Sequence, residues 1–281
     1  MDKVISKKNL SFIKKVINYL SSKLGIINPR DVLWLVYGSY VINMNNSNSD
    51  LDIIGIHPTF IERKRIVFNY KNVPIHFSAI TMNDIKDDGE SRLYGSYFTG
   101  KIINPHIFLY GDSRSRREAL FHAGKFIGPL AGYLGQLTQA NLYSPAQITA
   151  LVFVAYFSSV GPSFDRIFLG YFISPEFGKI WKSLCKQTIL MLETAEAIRR
   201  VGNKYTFTQK FKSFESFHFE RMKIAARHWS YGAICHGDCK FPDWLFSKAE
   251  EKTKKADPSG KKYREMILFL KTQSGLKDIY I

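Results

Sequence analysis

The residues best equipped for chemistry begin at Tyr37-Gly38-Ser39 and resume ten residues later at Asp50-Leu51-Asp52. Glycine has no Cβ, so the backbone at Gly38 can approach an anion closely, and Ser39 adds a hydroxyl to the amide N–H groups of a turn. Residues two apart on a strand point to the same side, so Asp50 and Asp52 present both carboxylates to one point. Such a pair suits Mg²⁺, which takes one or two protein carboxylates and completes its shell with water and phosphate oxygens. An anion-holding turn beside a cation-holding pair of acids is equipment for phosphoryl transfer, in which positioning and charge neutralisation supply most of the rate. Lys101 is expected just past the sheet, where its ammonium would meet a triphosphate or leaving pyrophosphate as a point charge.

Positioning these groups requires a strand before the turn and a strand carrying the acids. Val32 to Val36 is continuous, apolar and partly β-branched, Leu51 to Ile56 reads the same way after the polar run Asn43 to Ser49, and a third strand is predicted over Val73 to Ile80. Upstream, Leu10, Ile13, Val16, Ile17, Leu20 and Leu24 recur at helical spacing, so a helix is expected to cover the sheet. Asp50 and Asp52 are the only carboxylates between Asp31 and Glu62. After Ser113 the pattern turns helical, with helices predicted near 114–138, 145–160, 176–201, 209–234 and 261–273, and with Ser144-Pro145 as a helix start. Lys248 to Lys262, charged and containing Asp257-Pro258-Ser259-Gly260, reads as a solvated, disordered loop.

A Gly-Ser turn followed by Asp-x-Asp on the next strand resembles the nucleotidyltransferase superfamily that includes antibiotic-modifying nucleotidyltransferases, poly(A) polymerases and the tRNA CCA-adding enzymes. The resemblance covers roughly residues 31–80. It implies an α/β (α+β) nucleotidyltransferase domain with a small mixed sheet over residues 1–110. A helical domain over 111–281 would follow, closing over the nucleotide and supplying the acceptor pocket. By the same resemblance, Asp50 and Asp52 bind Mg²⁺ (or Mn²⁺), Gly38 and Ser39 bind the nucleoside triphosphate, and a nucleoside monophosphate passes to an acceptor hydroxyl or phosphate with release of pyrophosphate. The family's third carboxylate falls at His76 in this sequence. An imidazole is competent as a metal ligand or as a general base, so an active enzyme is expected. The alternative is a catalytically inactive nucleotide- or RNA-binding protein on the same fold, with His76 as the mark of lost turnover.

Three other motifs compete for attention. Gly95 to Lys101 matches seven positions of a phosphate-binding P-loop, but Ile102 stands where Ser or Thr must meet magnesium, and Asn104-Pro105 opposes a long helix. Cys235-His236-Gly237-Asp238-Cys239 gathers zinc-type ligands without a second cluster to complete a site. Its His-Gly-Asp is similar to the catalytic-loop tripeptide of aminoglycoside phosphotransferases, but Asp243 replaces the asparagine of that family. The rings of Phe207, Phe211, Phe214 and His218 fall at helical spacing among lysines, and a core packing stripe is expected of them in preference to a base-stacking surface.

Forty Lys and Arg against 24 Asp and Glu give a net charge of +16, which favours anionic partners. Fourteen basic and nine acidic residues lie up to Tyr110, and 26 and 15 follow, so most of the excess is C-terminal and tilts the acceptor toward RNA or a tRNA end over a small molecule. Three cysteines are too few for a disulfide framework and suit a reducing cytoplasm. No membrane association is expected. Lys14 and Lys15 interrupt any signal-peptide core, and the apolar run Ile148 to Val160, ended by Gly161-Pro162, falls short of the roughly 20 residues of a membrane span.

Overall fold

The computed structural model describes residues 4–60, 64–161 and 163–277, which form two compact units. The first comprises Met1–Lys86 with Lys101–Ala119, and the second Asp87–Gly100 with Leu120–Ile281.

Helix α1 (Lys7–Lys23) opens the first unit; the Ser6 side chain accepts from the Asn9 amide and caps it, and Ile13, Val16, Ile17 and Leu20 are buried. Five strands follow: β1 (Leu33–Tyr37), β2 (Leu51–Ile56), β3 (Lys64–Tyr70), β4 (Val73–Ile80) and β5 (His106–Leu109), arranged β3-β4-β2-β1-β5. β1 runs antiparallel to β2 and β5, β2 parallel to β4, and β3 antiparallel to β4, so the sheet is mixed, as expected. Alternation along the strands puts Trp34, Val36, Leu51, Ile53, Ile75 and Phe77 into one core with the apolar side of α1. Asp52 and His76 have the opposite parity and are direct cross-strand partners in the register of β2 and β4.

The sequence pattern missed β3 and β5. Strand β3 is an edge that begins Lys-Arg, as unpaired edges commonly do, and its turn into β4 uses Lys71 and Asn72, both at positive φ (50° and 63°), in place of the Asn-Gly that advertises a hairpin. Short helices α2 (Met82–Lys86) and α3 (Thr99–Ile103) follow the sheet's fourth strand.

The second unit is built from α4 (Ser113–Leu137), whose first turns belong to the first unit, and from α5 (Pro145–Val160), α6 (Phe164–Phe172), α7 (Phe177–Thr194), α8 (Phe214–His236), α9 (Phe241–Ala256) and α10 (Lys261–Ser274). Ser144 and Gln147 cap α5 reciprocally, and α5 packs on α7, α8 and α10 with nearly every side chain buried, which explains its apolar run. No helix among the described residues is long and apolar enough to cross a membrane. Gly161 ends α5; Pro162 lies outside the described residues.

Several expectations need correction. The helix predicted over 176–201 stops at Thr194, and the chain forms a hairpin, β6 (Ile198–Val201) with β7 (Lys204–Phe207), so the C-terminal region is helical but not all-helical. Glycines on α4 cause this: a Cβ on Gly124 would sit 2.4 Å from the Ala195 Cβ, and one on Gly128 2.5 Å from that of Ala197, so the backbone lies directly against α4. The helix predicted over 209–234 begins only at Phe214, where Ser213 caps it. The loop expected over Lys248 to Lys262 is helical as far as Ala256, the second half of α9, held by good helix formers and pairs such as Glu250–Lys254 at 3.0 Å, and only Asp257 to Gly260 turns before α10. The expected division at residue 110 also differs from the observed units, because Asp87–Gly100 packs with the second: Gly95 lies so close to the His228 backbone that a Cβ would approach its nitrogen to 2.1 Å.

Candidate metal centre

Gly38, Asp50, Asp52 and His76 meet at one end of the sheet in the first unit. Tyr37 pairs with Asp52 across β1 and β2, and Asp52 with His76 across β2 and β4, so three adjacent strands deliver the turn, the acid and the imidazole to neighbouring places. Asp50 immediately precedes β2. The His76 Nδ1 lies 3.5 Å from a carboxylate oxygen of Asp50 and 3.5 Å from one of Asp52. One donor atom from each of the three falls within 4.8 Å of the others, the only such group of three His, Cys, Asp or Glu found among the described residues. All three side chains are partly open to solvent, at 36%, 24% and 26% exposure for Asp50, Asp52 and His76, which leaves a ligand access. Two carboxylates and an imidazole fit a divalent cation in charge and donor type.

Gly38 fixes how near the turn comes. Its φ is +84°, and a Cβ there would stand 3.1 Å from the Asp52 Oδ2, so the backbone passes directly beside the carboxylate. Gly38→Ala is expected to cost about 1–2 kcal/mol in backbone strain and to push Asp52 aside. A lowered melting temperature with weakened divalent-cation affinity would show both effects; unchanged affinity would reduce Gly38 to a turn residue.

Ser39 continues the bend, with its carbonyl accepting from the Met44 amide at 2.9 Å; the following residues make turns, so the helix N-terminus that would strengthen phosphate binding is not formed there. Lys101, in α3, holds its ammonium 5.3 Å from the ring centre of Tyr37, placing a cation beside the residue that precedes Gly38.

Two supporting residues escaped the sequence reading. Asn9 donates to the Tyr40 carbonyl at 3.0 Å and to Asn45 at 2.7 Å, which ties the polar loop between Gly38 and Asp50 to α1. Its signal was a polar residue in line with the apolar stripe of that helix. Tyr40 is buried below the same loop; burial raises its phenol pKa, the Asn45 hydrogen bond opposes the rise, and the Asp50 charge adds to it.

The rival motifs have structural explanations. Amide N–H groups of Ser96, Phe98 and Thr99 do converge as in a phosphate-binding loop, but they donate to the Asp88 carboxylate at 2.7–2.9 Å, with the Thr99 hydroxyl at 2.9 Å. The chain supplies its own anion. Asp84, another of the acids that follow β4, accepts from Thr81 at the start of α2. In the Cys235–Cys239 run, Gly237 is the left-handed cap of α8, and His236 stacks on Phe241 with ring centres 4.5 Å apart. Neither a protein-family model nor a curated protein matches this chain.

Proposed function

We propose that the chain is a nucleotidyltransferase that transfers a nucleoside monophosphate from a nucleoside triphosphate to an acceptor hydroxyl or phosphate. The observation that carries this reading is the convergence of the Gly38 backbone, Asp50, Asp52 and His76 on one point. A divalent cation bound there supplies charge neutralisation for the α-phosphoryl group and for the departing pyrophosphate.

Asp50 and Asp52 hold the cation, and His76 adds its Nδ1 as the third ligand. The turn at Gly38-Ser39 offers backbone N–H groups and a hydroxyl to phosphate oxygens that cannot approach so closely past a side chain. Lys101 stands by the turn as a second positive charge for the triphosphate. As the acceptor oxygen bonds to the α-phosphorus, the bond from that phosphorus to the bridging oxygen of the β-phosphate breaks, and pyrophosphate leaves with the electron pair. A hydroxyl acceptor loses its proton to solvent water, because an imidazole that ligates through Nδ1 keeps its hydrogen on the other ring nitrogen; His76 serves as general base only where it is not a ligand.

Labelled nucleoside triphosphate, a divalent cation and a panel of acceptors provide the test, read as acceptor-dependent pyrophosphate release. Nucleotide binding without turnover on any acceptor would favour the inactive binding protein instead.

His76 also sets the choice of metal. Imidazole is a softer ligand than carboxylate and suits Mn²⁺ better than Mg²⁺, so the wild type is expected to bind Mn²⁺ on the order of tenfold more tightly than Mg²⁺. His76→Asp restores an all-oxygen set and should shift the preference toward Mg²⁺ in competitive titrations followed by Mn²⁺ electron paramagnetic resonance. An unchanged ratio would remove His76 from the ligand set.

A further inference from the structure

Helix α8 begins with a surface that its sequence does not announce. Phe217 is the ring that packs, stacked on Tyr133 of α4 with centres 4.4 Å apart and planes 17° apart, and Ile224 and His228 continue that buried side. The expected packing stripe is therefore not where Phe214 and His218 lie. Phe214 is 65% exposed, Phe219 69% and Met222 58%. The Phe214 and His218 rings lie nearly parallel, 5.9 Å between centres and 11° between planes, so they form a stepped pair of flat faces toward solvent.

Charge surrounds these faces. From Arg199 to Lys223 the chain has seven Lys or Arg against two Glu. Lys210, Lys212 and Lys223 are exposed, and Glu220 is engaged by Arg92 at 2.7 Å and Lys223 at 3.8 Å. Exposed rings on a folded unit mark an interaction surface; Phe214, His218 and Met222 follow one another at single-turn spacing on α8, with Phe219 farther round the same helix. Flat faces with flanking ammonium groups match a partner that has accessible bases and a phosphate backbone.

We propose that this surface, Phe214, His218, Phe219 and Met222 with Lys212 and Lys223, binds single-stranded nucleic acid. Bases stack on Phe214 and Phe219, and the lysines meet the phosphates. A duplex buries its base faces and would use only the charge. A helix lying on a membrane needs an apolar face along its length; here the run of exposed large apolar residues ends at Met222 and does not resume until Ile234, with Glu215 beside Phe214. The binding does not depend on the metal centre of the first unit, so the proposal stands or falls separately from the catalytic reading.

The full-length chain is titrated into a fluorescent oligouridine of about 12 nucleotides and, in parallel, a duplex of the same length, with anisotropy as the readout. The single strand is expected to bind with an affinity that falls steeply with salt. The double variant Phe214→Ala/Phe219→Ala is expected to lose about tenfold or more for the single strand while duplex binding is unchanged. Lys212→Gln/Lys223→Gln should flatten the salt dependence, and Asp52→Ala should bind the oligonucleotide as the wild type does. Circular dichroism checks that the variants are folded. Equal binding of single strand and duplex, indifferent to loss of the rings, would overturn the proposal in favour of charge alone. Ring-dependent binding to phosphatidylserine vesicles or ring-dependent self-association, with no binding of the oligonucleotide, would overturn it in favour of a membrane or a second copy of the chain.

Discussion

On the proposed nucleotidyltransferase reading, Asp52→Ala is expected to lower acceptor-dependent pyrophosphate release by roughly a thousandfold or more, because it would remove a ligand of the cation proposed to neutralise the transferring phosphoryl group. Asp52 stands between the other parts of the site: it pairs with Tyr37 on one side and His76 on the other, and its carboxylate lies against the Gly38 backbone. Asp50→Ala should act in the same direction. Calorimetric titration with Mn²⁺ should show the high-affinity site lost in both. The melting temperature should hold or rise slightly, since each change removes one of two like charges that converge on a partly exposed point. Turnover equal to wild type in both variants would dismiss the metal assignment, and a collapsed fold would instead make these acids structural.

The second large effect lies in the other unit and concerns stability. Asp88→Ala leaves three buried backbone N–H groups and the Thr99 hydroxyl without their acceptor, a loss on the order of 4 kcal/mol given about 1–3 kcal/mol per orphaned group and imperfect additivity. Urea unfolding followed by tryptophan fluorescence measures it. A loss below about 1 kcal/mol would mean that water replaces the carboxylate, and the loop would then be open enough to bind an external anion.

The same residue carries a pH signature. Burial pushes the Asp88 carboxyl up to about 6 from the ordinary carboxylate value of 3.8, against the opposing pull of its Thr99, Ser96 and Phe98 hydrogen bonds. The folded chain thus holds this proton more tightly than the unfolded chain does. That contribution to stability is fully present below the unfolded value near 3.8 and is lost as pH rises through about 6. Wild-type stability relative to Asp88→Asn, which does not titrate, should therefore fall between about pH 4 and pH 6, and a constant difference would contradict the raised value.

Much of the first unit was legible because its signals are local. Continuous apolar, β-branched runs marked β1, β2 and β4 within a residue or two, and the reciprocal Ser144–Gln147 cap located the start of α5. Where long-range contacts outweighed local preference, the reading failed. The chain after Thr194 left helix for a hairpin because the α4 glycines admit its backbone, and α8 buried Phe217 in place of Phe214 because Tyr133 offers Phe217 a stacking partner. A segment as charged as Lys248 to Ala256 looks unstructured until its buried Ala249, with Phe241 at the start of the same helix, gives α9 a packed side.

The sequence by itself determined which groups could do chemistry, since Gly38-Ser39 and Asp50-x-Asp52 declare their chemical types and their strand parity through short-range spacing. Tertiary structure decided the rest: that β4 lies parallel beside β2 in the one register that places His76 next to Asp52, and that the glycine-rich run at Gly95 is filled by Asp88. Strand register and loop closure depend on partners far along the chain, and a shift of one residue in β4 would have turned His76 into the core under α1.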